Sequence, residues 1–232
     1  MFYFDPLYFV IILPAFLLAI YAQIKVKSAF ARFSRMGTST GLNGAQTARR
    51  ILDFNGLQNV AIEVSRGWLS DHYDPRSRTL RLSPAVYSTP SVAAAGIAAH
   101  EAGHALQHAT GYALLRFRNA IVPTAQLGSW LAFPMIFIGA LMSFKGLILA
   151  GFVLFTVFVA FQVLTLPVEL DASRRAKKVI ADLGIIQSSQ EADGVAAVLN
   201  AAAMTYVAAT ISALAQLLYF ALRLGLLGGR DD

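Results

Sequence analysis

Residues 146–178 read GLILAGFVLFTVFVAFQVLTLPVELDASRRAKK. An uncharged run from Gly146 to Val168 gives way at once to Glu169, Asp171, Arg174, Arg175, Lys177 and Lys178. About 20 predominantly apolar residues cross a bilayer as a helix, so the run is long enough to span one. A carboxylate at such a boundary is costly unless a partner satisfies it. A membrane helix with acidic side chains waiting at its end is the feature from which the rest of the chain is read.

Immediately upstream, only Lys145 separates this run from another, Asn119 to Phe144, which predicts a tight transmembrane hairpin. Pro123 and Pro134 should kink its first helix, as membrane helices tolerate. A further uncharged run covers Pro6 to Ile24. Its basic residues, Lys25, Lys27, Arg32 and Arg35, come after it and only Asp5 comes before, the reverse of a signal peptide, so an uncleaved anchor is expected. The fourth run, Gly194 to Leu222, is richer in Ala and includes Asn200, Thr205 and Gln216. It predicts a span from about Ala201 to Leu227, with a packed or interfacial helix as the alternative.

Composition agrees with a membrane class. Hydrophobic residues make up 56% of the 232 and charged residues 14%, against roughly 25% charged in soluble proteins. The net charge of +6 raises the question of nucleic acid. The basic residues sit beside apolar runs, and no basic stripe is interleaved with aromatics, so no nucleic-acid partner is expected. Cysteine is absent, which removes disulfides, thiolate ligands and a cysteine nucleophile. Lys and Arg near the span ends place 25–118 and 169–200 on the cytoplasmic side, with the N-terminus outside. The expected organisation is an anchor over 1–24, a catalytic segment over 25–118, a transmembrane hairpin over 119–168, cytoplasmic helices over 169–200, and a last span with its tail over 201–232.

Within the polar segments, Asn43 and Gln46 form a capping-box pattern opening a helix from Ala45 to Phe54, which Asn55-Gly56 stops. Val60–Val64, His72-Tyr73 and Thr79–Leu82 read as short strands, the last two joined by the turn residues Asp74 to Arg78. Thr89-Pro90 predicts a helix start with Pro90 at the first helical position, and one long helix from Ser91 to about Phe117.

That helix carries His100-Glu101-Ala102-Gly103-His104. Side chains four apart project from one helix face, so the two imidazoles can hold one ion. Glu101, beside the first of them, can reach an attacking water as general base. With only 4 histidines in the chain, a chance match to this spacing is roughly a one-in-a-thousand event. An incidental polar helix face is the bland reading.

A catalytic zinc needs a third protein ligand. His108 lies on the same face, but eight residues of helix rise about 12 Å, too far for one ion to bind both His100 and His108. The metzincin spacing is absent too. Among the carboxylates, Glu191 follows Ser188 by three and reads as a capping partner. Elimination leaves Glu169 as the favoured ligand, with Asp171 orienting a histidine. The competing reading pairs both carboxylates with Arg174 and Arg175. His72 and Tyr206 are candidate donors to an oxyanion. The strand Thr79–Leu82 is either an exposed edge for an extended substrate or the middle of its sheet.

Asp71-His72-Tyr73-Asp74-Pro75, Arg81-Leu82-Ser83, the stretch His100 to His108 and the stretch Leu166 to Ala176 together resemble the YugP-type neutral zinc metallopeptidases, a family of bacterial integral membrane enzymes. The likeness covers nearly the whole chain, including the order of its spans. It implies His100 and His104 as zinc ligands and Glu101 as the catalytic residue. A more distant likeness is to the HtpX-type membrane proteases, whose third ligand comes from a Glu-x-x-Ala-Asp motif on a later helix. Glu169 and Ala172 match that motif, but Ser173 stands where the Asp would be. The likeness therefore supports Glu169, and Asp171 is the candidate substitute for the missing Asp.

The fold expected is a mainly α-helical integral membrane protein with about four transmembrane helices. Its small cytoplasmic α+β catalytic part would be zincin-like, of gluzincin type, with a short β-hairpin or sheet. The function expected is a one-zinc metalloendopeptidase of the bacterial cell membrane, acting from the cytoplasmic side on membrane or membrane-proximal proteins. An intramembrane protease fits less well, because the motif helix is too polar to face lipid. A non-catalytic zinc-containing adaptor is the other alternative. It lacks the fourth protein ligand that structural zinc usually has.

Overall fold

The computed structural model describes residues 5–67 and 70–226. In chain order they form α1 (Pro6–Phe33), α2 (Gly44–Phe54), β1 (Ala61–Val64), β2 (His72–Asp74), β3 (Thr79–Leu82), α3 (Pro84–Tyr87), α4 (Val92–Ala109), α5 (Ala113–Leu141), α6 (Lys145–Asp182) and α7 (Ser189–Arg223). By length and composition, α1, α5, α6 and α7 can each cross a membrane. Three of them, α1, α6 and α7, run on past the apolar stretch that predicts them, whereas α5 starts earlier, at Ala113, and stops at Leu141, short of Phe144. The clearest case is α6, which continues through Pro167 to Asp182 as one helix of 38 residues. At 1.5 Å per residue it is about 57 Å long, well beyond the roughly 30 Å of hydrocarbon. Its charged end therefore lies outside that layer. The expected last span reaches Leu227, which is outside the described residues, and α7 starts well before Ala201.

One expected helix is two. The run from Ser91 to Phe117 breaks after α4, because Gly111 takes φ 63. There the Gly111 N–H donates to the His108 carbonyl and the Tyr112 N–H to the Gln107 carbonyl, the paired bonds by which a left-handed residue closes a helix end. The start of α4 also moves. Ser91 is the N-cap, its hydroxyl accepting from the Ala94 N–H at 3.2 Å. Pro90 is spent outside the helix, where its carbonyl accepts from Thr38 N–H. The Asn43–Gln46 capping box is present at α2, and the Ser188–Glu191 pair caps α7.

The chain divides into two compact units. The first comprises Met1–Tyr21, Phe117–Leu166 and Thr205–Asp232. Its buried core is Ala132, Phe155, Val159 and Ala213, with Phe158, Leu217 and Phe220 packed around it. The α5–α6 hairpin is tight: a Cβ on Gly151 would stand 2.8 Å from the Ala132 carbonyl oxygen. Only glycine permits that backbone approach. Asp5 begins α1, accepting from the Leu7 N–H at 3.1 Å, and also accepts from the Tyr219 hydroxyl at 2.8 Å and from Arg223.

The second unit comprises Ala22–Arg116 and Pro167–Met204. Here α2 packs on α4, and the core joins Ile51 and Leu52 to Leu80, Leu82, Val86 and an alanine face on α4 (Ala94, Ala98, Ala102 and Ala105). The sheet has the order β1-β3-β2, with β1 parallel and β2 antiparallel to β3. Thr79–Leu82 is therefore the middle strand, which removes it as an edge for substrate. Its alternation explains the place: Leu80 and Leu82 are fully buried on the core side.

Candidate metal centre

His100 and His104 stand one turn apart on α4, as the helical period requires. Facing them from α6 is Glu169, largely buried. Its Oε2 lies 3.1 Å from His100 Nε2 and 3.4 Å from His104 Nε2. One donor atom from each of the three residues falls within 4.8 Å of the others, a group that could hold a metal ion. Zinc bonds of about 2.0–2.1 Å at tetrahedral angles set neighbouring donors about 3.3 Å apart, so the two nitrogen–oxygen separations fit such an ion. Two imidazoles and one carboxylate leave a fourth position open.

The approach of α6 to α4 depends on a small residue. A Cβ on Gly103 would come 2.7 Å from the Ala172 carbonyl oxygen. That distance is closer than real Cβ atoms come, so a side chain at 103 would push away the helix turn bearing Glu169.

Around the trio, His104 Nδ1 lies 2.9 Å from Gln107 Oε1, and His100 Nδ1 lies 3.1 Å from Ser173 Oγ. Gln107 is fully buried, and its Nε2 donates to the Val168 carbonyl at 2.8 Å and to Asp171 Oδ2 at 2.9 Å. Asp171 also accepts from Arg175 at 2.6 Å and from Arg174. This corrects the expected role of Asp171. It does not bond a histidine but is held by the two arginines and reaches the site through Gln107. Of the competing reading, the structure shows the arginine pairs at Asp171, which is buried rather than solvated, and none at Glu169 among the described residues. Ser173, where the related motif has Asp, is the residue that meets His100.

Glu101 projects from α4 beside the pair and keeps 8% of its surface exposed. Burial raises its carboxyl above the ordinary range, an effect the nearby His100 and His104 partly oppose. Burial alone would lower His104, but the hydrogen bond and charge of Glu169 outweigh it, so its imidazolium form is favoured. With Nδ1 already committed to Gln107, His104 can donate to Glu169 only as that imidazolium. A cation between the two atoms would take the place of the proton.

The model of a family described as "Putative neutral zinc metallopeptidase" matches residues 8–225. This chain belongs to that family. It is 48% identical over 216 residues to the "Putative membrane protease YugP" of Bacillus subtilis (strain 168), covering 93% of this chain and 94% of that protein. No solved structure matches it. Membership makes zinc the ion to consider at the trio, and with four membrane-length helices the chain is an integral membrane protein.

The remaining sequence candidates fall elsewhere. His108 lies 2.9 Å from the Tyr73 hydroxyl and lines a cavity of about 370 Å³ with Asn59, Tyr73 and Arg78. His72 is exposed on β2, with Nδ1 2.8 Å from the Ser70 carbonyl oxygen. A carbonyl only accepts, so that nitrogen carries the proton and Nε2 can donate only from an imidazolium. Tyr206 lies on α7, in the other compact unit. Gln107 and Gly103 were not singled out in the sequence. The i, i+3 spacing of Gln107 from His104 was the one available signal.

Proposed function

We propose that the protein is a zinc-dependent metalloendopeptidase with His100, His104 and Glu169 as its three metal ligands and Glu101 as general base. The convergence of two imidazoles and a carboxylate at 3.1 and 3.4 Å carries this reading. When bound there, zinc supplies Lewis acidity that polarises a scissile carbonyl and acidifies water. Glu101, buried beside the trio, takes the proton of the attacking water and delivers it to the leaving amine. Its raised carboxyl brings it nearer the working pH, which suits a group that must both accept and release a proton. Substrates are membrane or membrane-proximal proteins of the bacterial cell membrane, met on the cytoplasmic side where Lys25 to Arg118 and the charged end of α6 lie by the positive-inside rule. The catalytic part is zincin-like, of the kind whose third ligand is a glutamate.

The test uses purified full-length parent, Glu101→Gln and Glu169→Ala, measuring bound zinc and cleavage of an unstructured protein. Glu101→Gln should keep its zinc and lose about 10²–10⁴-fold in rate, the usual weight of a positioned base. Glu169→Ala should lose zinc. Equal zinc with no cleavage by the parent would favour a non-catalytic adaptor.

A further inference from the structure

We infer that Gln107 is the positioning residue of the metal centre: it fixes which nitrogen of His104 is free and anchors the turn of α6 that brings Glu169. The amide orientation follows from its partners. One end lies 2.8 Å from the Val168 carbonyl and 2.9 Å from the Asp171 carboxylate. Both are acceptors, the second held ionised beside Arg174 and Arg175, so that end must be the NH₂ group. The amide oxygen therefore faces His104 Nδ1 at 2.9 Å and can only accept. His104 Nδ1 must carry a proton, which leaves Nε2 as the nitrogen turned to Glu169. Ser173 sets no such rule for His100, because a hydroxyl can donate or accept.

The placement makes this more than a local contact. Val168 and Asp171 flank Glu169 on α6, so one fully buried side chain grips one metal-binding residue together with the backbone before another and the carboxylate after it. All three of its side-chain polar contacts run inside the same compact unit. A leucine at this position could fill the space while leaving the imidazole Nδ1 without its acceptor and α6 without the tie at Val168 and Asp171. A glutamate would still present an oxygen to His104, but it would replace the NH₂ donor with an acceptor facing the Val168 carbonyl and Asp171.

The inference rests on the proposed metal reading only where zinc is measured, and the experiment separates the two. Parent, Gln107→Leu and Gln107→Glu are prepared full-length in detergent with ¹⁵N-labelled histidine, and first examined metal-free. A ring Nδ1 proton protected from water exchange, assigned by its loss in His104→Asn, should appear in the parent and in Gln107→Glu but not in Gln107→Leu. Zinc affinity by chelator competition should then fall about 10–100-fold in Gln107→Leu, the usual weight of a residue supporting a metal ligand. Gln107→Glu should lose less than Gln107→Leu, since it keeps the acceptor facing the imidazole while giving up the donor to Val168 and Asp171. Thermal unfolding of the metal-free variants reports whether the fold is kept. Zinc affinity unchanged in Gln107→Leu, or lost to the same degree in both variants, would overturn the inference, since the acceptor kept in Gln107→Glu would then count for nothing. So would an unprotected Nδ1 proton in the parent. A parent that shows the protected proton but binds no zinc would sink the metal reading and leave this one standing.

Discussion

Glu101 and Glu169 are both buried carboxylates, yet their neighbours give them different chemistry. Glu169 accepts from two imidazoles and has little freedom left. No hydrogen bond among the described residues holds Glu101, and burial raises its carboxyl. A ligand should be fixed and a base should be able to move its proton, so the surroundings sort the pair as their proposed roles require. His108 is the instructive contrast: one turn beyond His104, it belongs to Tyr73 instead. His108→Ala should therefore keep full zinc stoichiometry by metal analysis, and its destabilisation should be about 1 kcal/mol, the worth of one hydrogen bond.

At the scale of elements, the site is the meeting of α4 and α6. The small residues of the motif, Ala102 and Gly103, are not fillers. Ala102 is fully buried, and Gly103 sets the interhelical distance through Ala172. Replacing Gly103 with Ala should force the helices apart, costing about 1–3 kcal/mol as overpacked cores do. Zinc affinity should fall with it, because Glu169 rides on the displaced turn. Thermal unfolding with and without zinc checks both effects, and loss of stability with unchanged affinity would refute the coupling. The sheet shows how element order decides access. With β3 in the middle, β1 and β2 are the outer strands of the sheet among the described residues, so any pairing with an extended substrate belongs to His72–Asp74 or to β1.

For the whole molecule, a metal that binds only the folded state stabilises it by mass action. Zinc at about one hundred times its dissociation constant should add about 2.7 kcal/mol, and a chelator should remove that increment. Unchanged unfolding on chelation would count against the centre. Orientation is directly testable because the chain has no cysteine of its own. Ser77→Cys, in the turn between β2 and β3, should react with an impermeant thiol reagent only in opened cells. Met142→Cys, exposed at the tip of the α5–α6 hairpin, should react in intact ones. The reverse pattern would place the site on the outside.

Helical periodicity and hydropathy are local properties, and they were legible directly. The four apolar runs, the paired imidazoles at i and i+4, and the caps at Asn43 and Ser188 depend on neighbours within a few residues. Helix ends were read less well, because Pro167 and Gly111 each admit two outcomes that packing and φ decide. Only the fold brings Glu169 to the histidines, threads Asp171 through Gln107 and puts Thr79–Leu82 in the middle of its sheet. Those facts join residues some sixty positions apart or depend on strand order. They are settled by how closely two backbones can approach, at Gly103 above all.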